Sequence, residues 1–309
     1  MRLNKFAIVV AFCLLTFQFH GLASPPAEGW IPIDFQQGKL LVKTSVAGID
    51  GYSMIDSGAT GSAINERFLA RHSLTLKPSG FARVGGIVER KRRRLYRNIP
   101  VKILGVDTEF SKLVEISHAR EDIQFVLGVD FLGLAVFQFD YPRQRMRLLD
   151  RKSVNLRQLS NVKSRIDDAC NDIIAKVRLN NEQNVWLKVD TGAHSGLLLE
   201  RSVATRNNWL KSNPSQTVSV SGVNAASTMQ QFRIPLVQIG DFEVLDVLTT
   251  VPAKGEKIEL FRRERRTGSN LSRSRSIAKG LLGHDLLKHF ILTIDYRIGK
   301  IHLQPGATE

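Results

Sequence analysis

Two short stretches of this chain could bring carboxylates to bear on a reaction. Asp56 closes the run Ser53-Met54-Ile55-Asp56 and is followed by Ser57-Gly58-Ala59-Thr60; Asp190 closes Leu187-Lys188-Val189-Asp190 and is followed by Thr191-Gly192-Ala193-His194. Such a run reads as a strand that breaks into a tight turn, with a carboxylate near its tip. One copy means little, because acid–glycine turns occur in any protein. Two carboxylates brought together cannot both ionise, so they hold one proton between them; the ionised member can then take a proton from water while the other donates one. Amide hydrolysis without a metal or a covalent nucleophile needs an activated water and an acid, which such a pair can supply.

The elements that must position these acids come in two copies. Val126-Leu127-Gly128-Val129-Asp130-Phe131-Leu132 is followed by Phe137-Gln138-Phe139-Asp140-Tyr141, and Leu281-Leu282-Gly283-His284-Asp285-Leu286-Leu287 by Leu292-Thr293-Ile294-Asp295-Tyr296. From 126 to 148, 7 of 23 positions are identical at an offset of 155, where unrelated segments would share about one or two; the chain is therefore an internal repeat. Each half carries an acidic turn near its start and an apolar-apolar-Gly-x-Asp element near its end. Before each acid lies a hairpin pattern: Leu40-Leu41-Val42 with a turn at Ala47 to Gly51, and Ile173 to Leu179 with a turn at Asn180-Asn181. After each acid a short helix is expected, over 65–72 and 200–209, and the rest reads as short strands with turns at Gly and Pro.

These motifs resemble the pepsin-like and retropepsin-like aspartic proteases, specifically bacterial exported members with two fused lobes. Asp56-Ser57-Gly58-Ala59, Asp190-Thr191-Gly192-Ala193 and the two apolar-Gly elements carry the resemblance, which spans roughly residues 37–305. It implies a mainly β fold of two retropepsin-like barrel lobes with short helices in a pseudo-twofold arrangement. It also implies an aspartic endopeptidase in which Asp56 and Asp190, one from each lobe, activate a water between them. Ser57, Gly58, Thr191 and Gly192 would support the active-site turns, the hydroxyls bracing them across the junction and the glycines permitting close approach. Gly85-Gly86 and Gly222 would mark flap hairpins closing over substrate. The alternative is a catalytically inactive envelope protein that uses the same cleft and a basic surface to bind peptide or polyanion. The expected organisation is a signal peptide over 1–23, lobes over 24–150 and 167–309, and a connection over 151–166.

The first residues have the character of an export signal: Arg2 and Lys5, an apolar stretch of twelve residues from Phe6 to Phe17, and small residues at Gly21-Leu22-Ala23 before Ser24. An exported location, the bacterial periplasm, follows as the expectation, with an uncleaved N-terminal anchor as the alternative. Export would leave Cys170 as the single cysteine, so no internal disulfide forms and buried apolar surface must hold the fold.

Of 309 residues 44 are Lys or Arg and 29 Asp or Glu, a formal charge of +15. The charge is concentrated in Arg90-Lys91-Arg92-Arg93-Arg94, directly after the first glycine turn, and in Arg262 to Arg275 of a Ser/Arg-rich insertion. In an exported protein such runs suit anionic envelope polymers or lipid surfaces rather than nucleic acid; bordering the cleft, the first would favour acidic substrates. Arg143, Arg145 and Arg147 alternate and so share one strand face. Asp130 and Asp285 are expected to cap helices. The histidines have no metal spacing, and no phosphate loop or nucleotide fingerprint occurs. No cofactor or metal is expected; the partner is a peptide or protein substrate, and the chain is expected to act as a monomer.

Overall fold

The computed structural model of the protein describes residues 29–36, 38–86, 90–167, 171–221, 226–256, 258, 260 and 277–306. The expected signal peptide, Cys170, Gly222 and the basic residues 262–275 lie outside them. The fold is mainly β, with six short helices among the described residues.

The described residues form three sheets. In the first half, Lys39–Val46 and Ile49–Ile55 form a hairpin whose two-residue turn, Ala47-Gly48, has positive φ at both positions. This is the backbone that matches strand twist in tight hairpins. Ile49–Ile55, the strand that delivers Asp56, pairs in parallel with Ile123–Leu127; Ala63–Asn65 pairs antiparallel with Ile123–Leu127 and in parallel with Leu113–Ile116. In the second half, Ile173–Leu179 and Gln183–Val189 form the hairpin, Gln183–Val189 runs parallel to Ala278–Leu282, and Leu197–Leu199 is parallel to Phe242–Pro252. The two halves thus repeat one pairing scheme, and a parallel partner crosses each acid-bearing strand.

Six strands of the second half close into a barrel, because Ala226–Ile239 pairs with Phe242–Pro252 along one edge and, through residues 237–239, with Ile173–Leu179 along the other. In the first half two strands do that work. Arg90–Tyr96 pairs with Leu113–Ile116 and Ile99–Ile103 with Lys39–Val46, and Asn98 between them has φ of 53°. Asn is one of the few residues that takes this left-handed conformation readily, and it turns the chain between the two strands.

The third sheet takes strands from both halves, in the order Ile31–Pro32, Arg145–Leu149, Val136–Asp140, Phe290–Asp295, Lys300–Pro305. Phe137 and Phe139 of one half are opposite Ile294 and Leu292 of the other, and all four are buried. Residues 151–166 lead from one half to the other through the short helix Leu156–Leu159 and end in Ser164–Ile166, which joins the second half's sheet. On the outer face of the third sheet Arg145 and Arg147 lie 4.3 and 4.4 Å from the Trp30 ring centroid, so these two share a face, whereas Arg143 stands in the turn before the strand Arg145–Leu149 and is not part of it.

Asp130 does not cap its helix. In Val129–Leu132 the cap position is Gly128, and Asp130 instead accepts from the Ser62 N–H at 3.0 Å and the Ser62 hydroxyl at 2.7 Å. Asp285 likewise stands inside His284–Leu287, which Gly283 precedes, and pairs with Lys288. The cap positions are taken by glycine for a reason that lies at the site.

Candidate active site

Each acid leaves its strand and is caught at once by the apolar-Gly element beside it. The Asp56 N–H donates to the Leu127 carbonyl at 3.0 Å and the Val129 N–H to the Ala59 carbonyl at 2.9 Å; Asp190 to Leu282 at 2.9 Å and His284 to Ala193 at 2.8 Å repeat this in the second half. The acidic turn lies so close that a Cβ on Gly128 would be 2.6 Å from the Gly61 backbone and one on Gly283 2.7 Å from the Ala193 carbonyl. Only glycine fits there. The repeated apolar-apolar-Gly element is a seat for the acidic turn.

Across the junction the two turns hold each other. The Ser57 N–H donates to the Thr191 hydroxyl at 3.0 Å and the Thr191 N–H to the Ser57 hydroxyl at 2.9 Å. Each hydroxyl passes its own proton on, Ser57 to the Val189 carbonyl at 2.8 Å and Thr191 to the Ile55 carbonyl at 3.0 Å. Four buried backbone groups from strands more than 130 residues apart are satisfied by two side chains. The glycines complete the arrangement: the Gly58 N–H donates to Asp56 Oδ1 at 2.7 Å and the Gly192 N–H to Asp190 Oδ1 at 2.9 Å. A Cβ on Gly58 would lie 2.6 Å from Asp190 Oδ2, and one on Gly192 would run into the Asp56 carboxyl. Each carboxylate therefore rests against the opposite turn's glycine, and the two acids face one another.

Burial pushes the Asp190 carboxyl up to about 7, and the charge of Asp56 and a hydrogen bond with it push the same way, against the pull of Lys188 and Lys39. Two carboxyls held in this way share one proton. The chemical capacity of the site is a pair of acids with one proton, able to accept from water and donate to a carbonyl oxygen or leaving nitrogen.

The structure thus brings together Asp56, Asp190, Ser57, Gly58, Thr191 and Gly192. Gly85 ends the strand Gly80–Gly85 and Gly86 follows it, in a hairpin with Arg90–Tyr96; Gly222 falls between Gln216–Ser221 and Ala226–Ile239, outside the described residues. The arginines of the first hairpin do not all lie on one face. Val84, which packs against the apolar cluster that includes Leu41, Met54 and Ile116, shares its face with Ala82, Lys91 and Arg93. Arg90, Arg92 and Arg94 alternate onto the opposite face, where Arg92 covers the exposed Phe81 ring at 4.0 Å and Arg94 pairs with Glu115. Arg93 itself is held by Glu66 at 3.5 Å. The period of two in a strand splits a basic run that reads as one block in sequence.

Three charged residues at the site have no counterpart in the motif. Lys188 donates to the Gly58 carbonyl at 2.8 Å and pairs with Asp172 at 2.7 Å, and Lys39 donates to the Gly192 carbonyl. The one signal available was Lys188 itself, a charge at a strand position where the first half has Met54. Beneath the dyad Tyr141 and Tyr296, the tyrosines of the two Asp-Tyr pairs, are buried, and burial raises both phenols well above their ordinary range. His194 is exposed and lies against Gly38.

No curated protein matches the chain. The family model described as aspartyl protease matches residues 175–285, which run from the second hairpin through Asp190 to the apolar-Gly-His-Asp element. That match supports an aspartyl protease relationship, with a hydrolase function to go with it, on the half of the chain where Asp190 sits.

Proposed function

We propose that the protein is an aspartic endopeptidase with one active site per chain, built from two lobes over residues 24–150 and 167–309 joined by 151–166. The observation that carries this reading is the reciprocal Ser57–Thr191 hydrogen bonding, which fixes Asp56 and Asp190 face to face with Asp190 raised toward neutrality. Water held between the acids would lose a proton to the ionised carboxylate as it attacks the peptide carbonyl, while the protonated acid donates to the carbonyl oxygen. The proton then passes to the leaving nitrogen as the tetrahedral intermediate collapses. Because the pair shares its proton, neither acid is the permanent base. The hairpins at Gly85-Gly86 and at Gly222 would serve as flaps over a peptide substrate. The N-terminal charge and apolar pattern support export, most simply to a bacterial periplasm, where the basic surface would meet anionic envelope polymers or lipid.

The test is hydrolysis of unfolded protein and of a peptide library by the purified chain, with Asp56→Asn and Asp190→Asn beside it. Each substitution keeps the shape but cannot share the proton, so each abolishes cleavage in a folded protein, and mixing the two restores nothing. Substantial activity in either variant, together with a dimer by size measurement, would refute a single site made within one chain.

A further inference from the structure

The two halves differ where they touch the dyad. Leu41 is opposite Met54 in the first hairpin and Ile174 opposite Lys188 in the second, each two residues before the acid. By the same register Asp172 stands where the first half has Lys39. An apolar side chain therefore suits this strand position, as Met54 shows. The second half instead places there an ammonium whose side chain is 9% exposed, against an Asp172 carboxylate that is 6% exposed. Burying such a pair costs several kcal/mol per ion before their attraction and hydrogen bonds offset it.

What the pair touches suggests why it is there. Lys188 Nζ reaches the carbonyl of Gly58, the residue whose N–H holds Asp56 Oδ1 and whose Cα faces the Asp190 carboxylate. Lys39 makes the reciprocal contact to Gly192, whose N–H holds Asp190 Oδ1. Each acidic turn is thus tied across the junction by an ammonium from the other half, although the two lysines occupy non-equivalent positions. We propose that Lys188, balanced by Asp172, is a positioning residue of the dyad, fastening the Asp56 turn to the opposite half and setting the pH range over which the two acids share one proton. The inference rests on the peptidase reading for its kinetic consequence, though not for its electrostatics.

The charged and titratable groups facing the dyad are Lys188 and Asp172 from the second hairpin, Lys39 from the first, and the phenols of Tyr141 and Tyr296 from the shared sheet. Burial alone would lower the Lys188 pKa, but Asp172, Asp190 and Asp56 outweigh it and raise the ammonium's pKa, so Lys188 stays charged beside the acids. Removing it lets the dyad hold its proton to higher pH. Removing Asp172 leaves the cation unbalanced and makes the dyad more acidic.

Three variants test this: Lys188→Met, Asp172→Asn and the double variant. In pH–rate profiles both limbs of the Lys188→Met bell move to higher pH, by about one unit or more for a charge this close. Those of Asp172→Asn move to lower pH, and those of the double variant lie between. Carbon-13 NMR titration of the Asp carboxyl groups reads the same shifts without turnover. A merely structural pair would lower activity and stability but leave the profiles in place. Profiles and titrations that coincide with the parent's, or that move the same way in both single variants, overturn the proposal. If Lys188→Met fails to fold, Asp172→Asn and the double variant, which leaves no buried charge, still give the sign. Opposite carboxyl shifts in chains that cleave nothing, parent included, would keep this inference and sink the peptidase reading.

Discussion

Thr191→Val puts the junction itself to the test. Valine matches threonine in shape, so the substitution leaves no cavity at a side chain 2% exposed. It does remove the acceptor of the Ser57 N–H and the donor to the Ile55 carbonyl, both at 3.0 Å. A buried polar group left unpaired costs about 1–3 kcal/mol, and two are orphaned, so the expected loss is about 2–6 kcal/mol. Thr191→Ser keeps the hydroxyl and gives up one methyl, about 0.8 kcal/mol. Urea unfolding of the three proteins ranks them, and Ser57→Ala, which orphans the Thr191 N–H and the Val189 carbonyl, falls in the same range as Thr191→Val. Because both hydroxyls serve one network, the Ser57→Ala/Thr191→Val double variant loses less than the two single losses together. A Thr191→Val protein as stable as Thr191→Ser would refute the claim that these hydroxyls hold the two halves in register.

Other outcomes follow from the same geometry. Gly192→Ala drives a methyl into the Asp56 carboxyl and should lower hydrolysis by about 10²-fold or more while circular dichroism still reports the native sheets; retained activity would mean the acids are not packed this way. Asp190 has its folded pKa raised from 3.8 to about 7, so its contribution to stability is fully present below the lower value and lost as pH rises through the upper. Relative to Asp190→Asn, thermal stability should therefore fall between pH 4 and 7, and parallel melting curves across that window would contradict the shift. Replacing Arg90, Arg92 and Arg94 by Gln should leave unchanged the ratio of rates on matched acidic and neutral peptides at about 0.1 M salt, where exposed charges more than ~10 Å away are largely screened. A collapse of that ratio would put those side chains on the cleft side of the hairpin.

The sequence alone determined the parts of this protein that repeat. Strand patterns of period two, the acid–hydroxyl–glycine turns and the apolar-apolar-Gly elements are local signals, legible twice over because both halves carry them, and the mainly β fold follows from them. Even so, the repeat could not say why Gly128 and Gly283 recur. The reason is a close approach to Ala59, Gly61 and Ala193, residues far away in the chain. The same glycines take the cap positions that Asp130 and Asp285 were expected to fill. Only the tertiary structure decided which face of the hairpin each arginine of the 90–94 run occupies, since that depends on which side Val84 buries. The charges around the dyad were equally hidden. Lys39, Lys188 and Asp172 break the symmetry of the two halves, and a lysine in a strand carries no mark of where its Nζ ends. That Lys188 meets Gly58 from 130 residues away follows from how the halves dock. Docking is a sum of contacts between surfaces, which no local pattern in either half encodes.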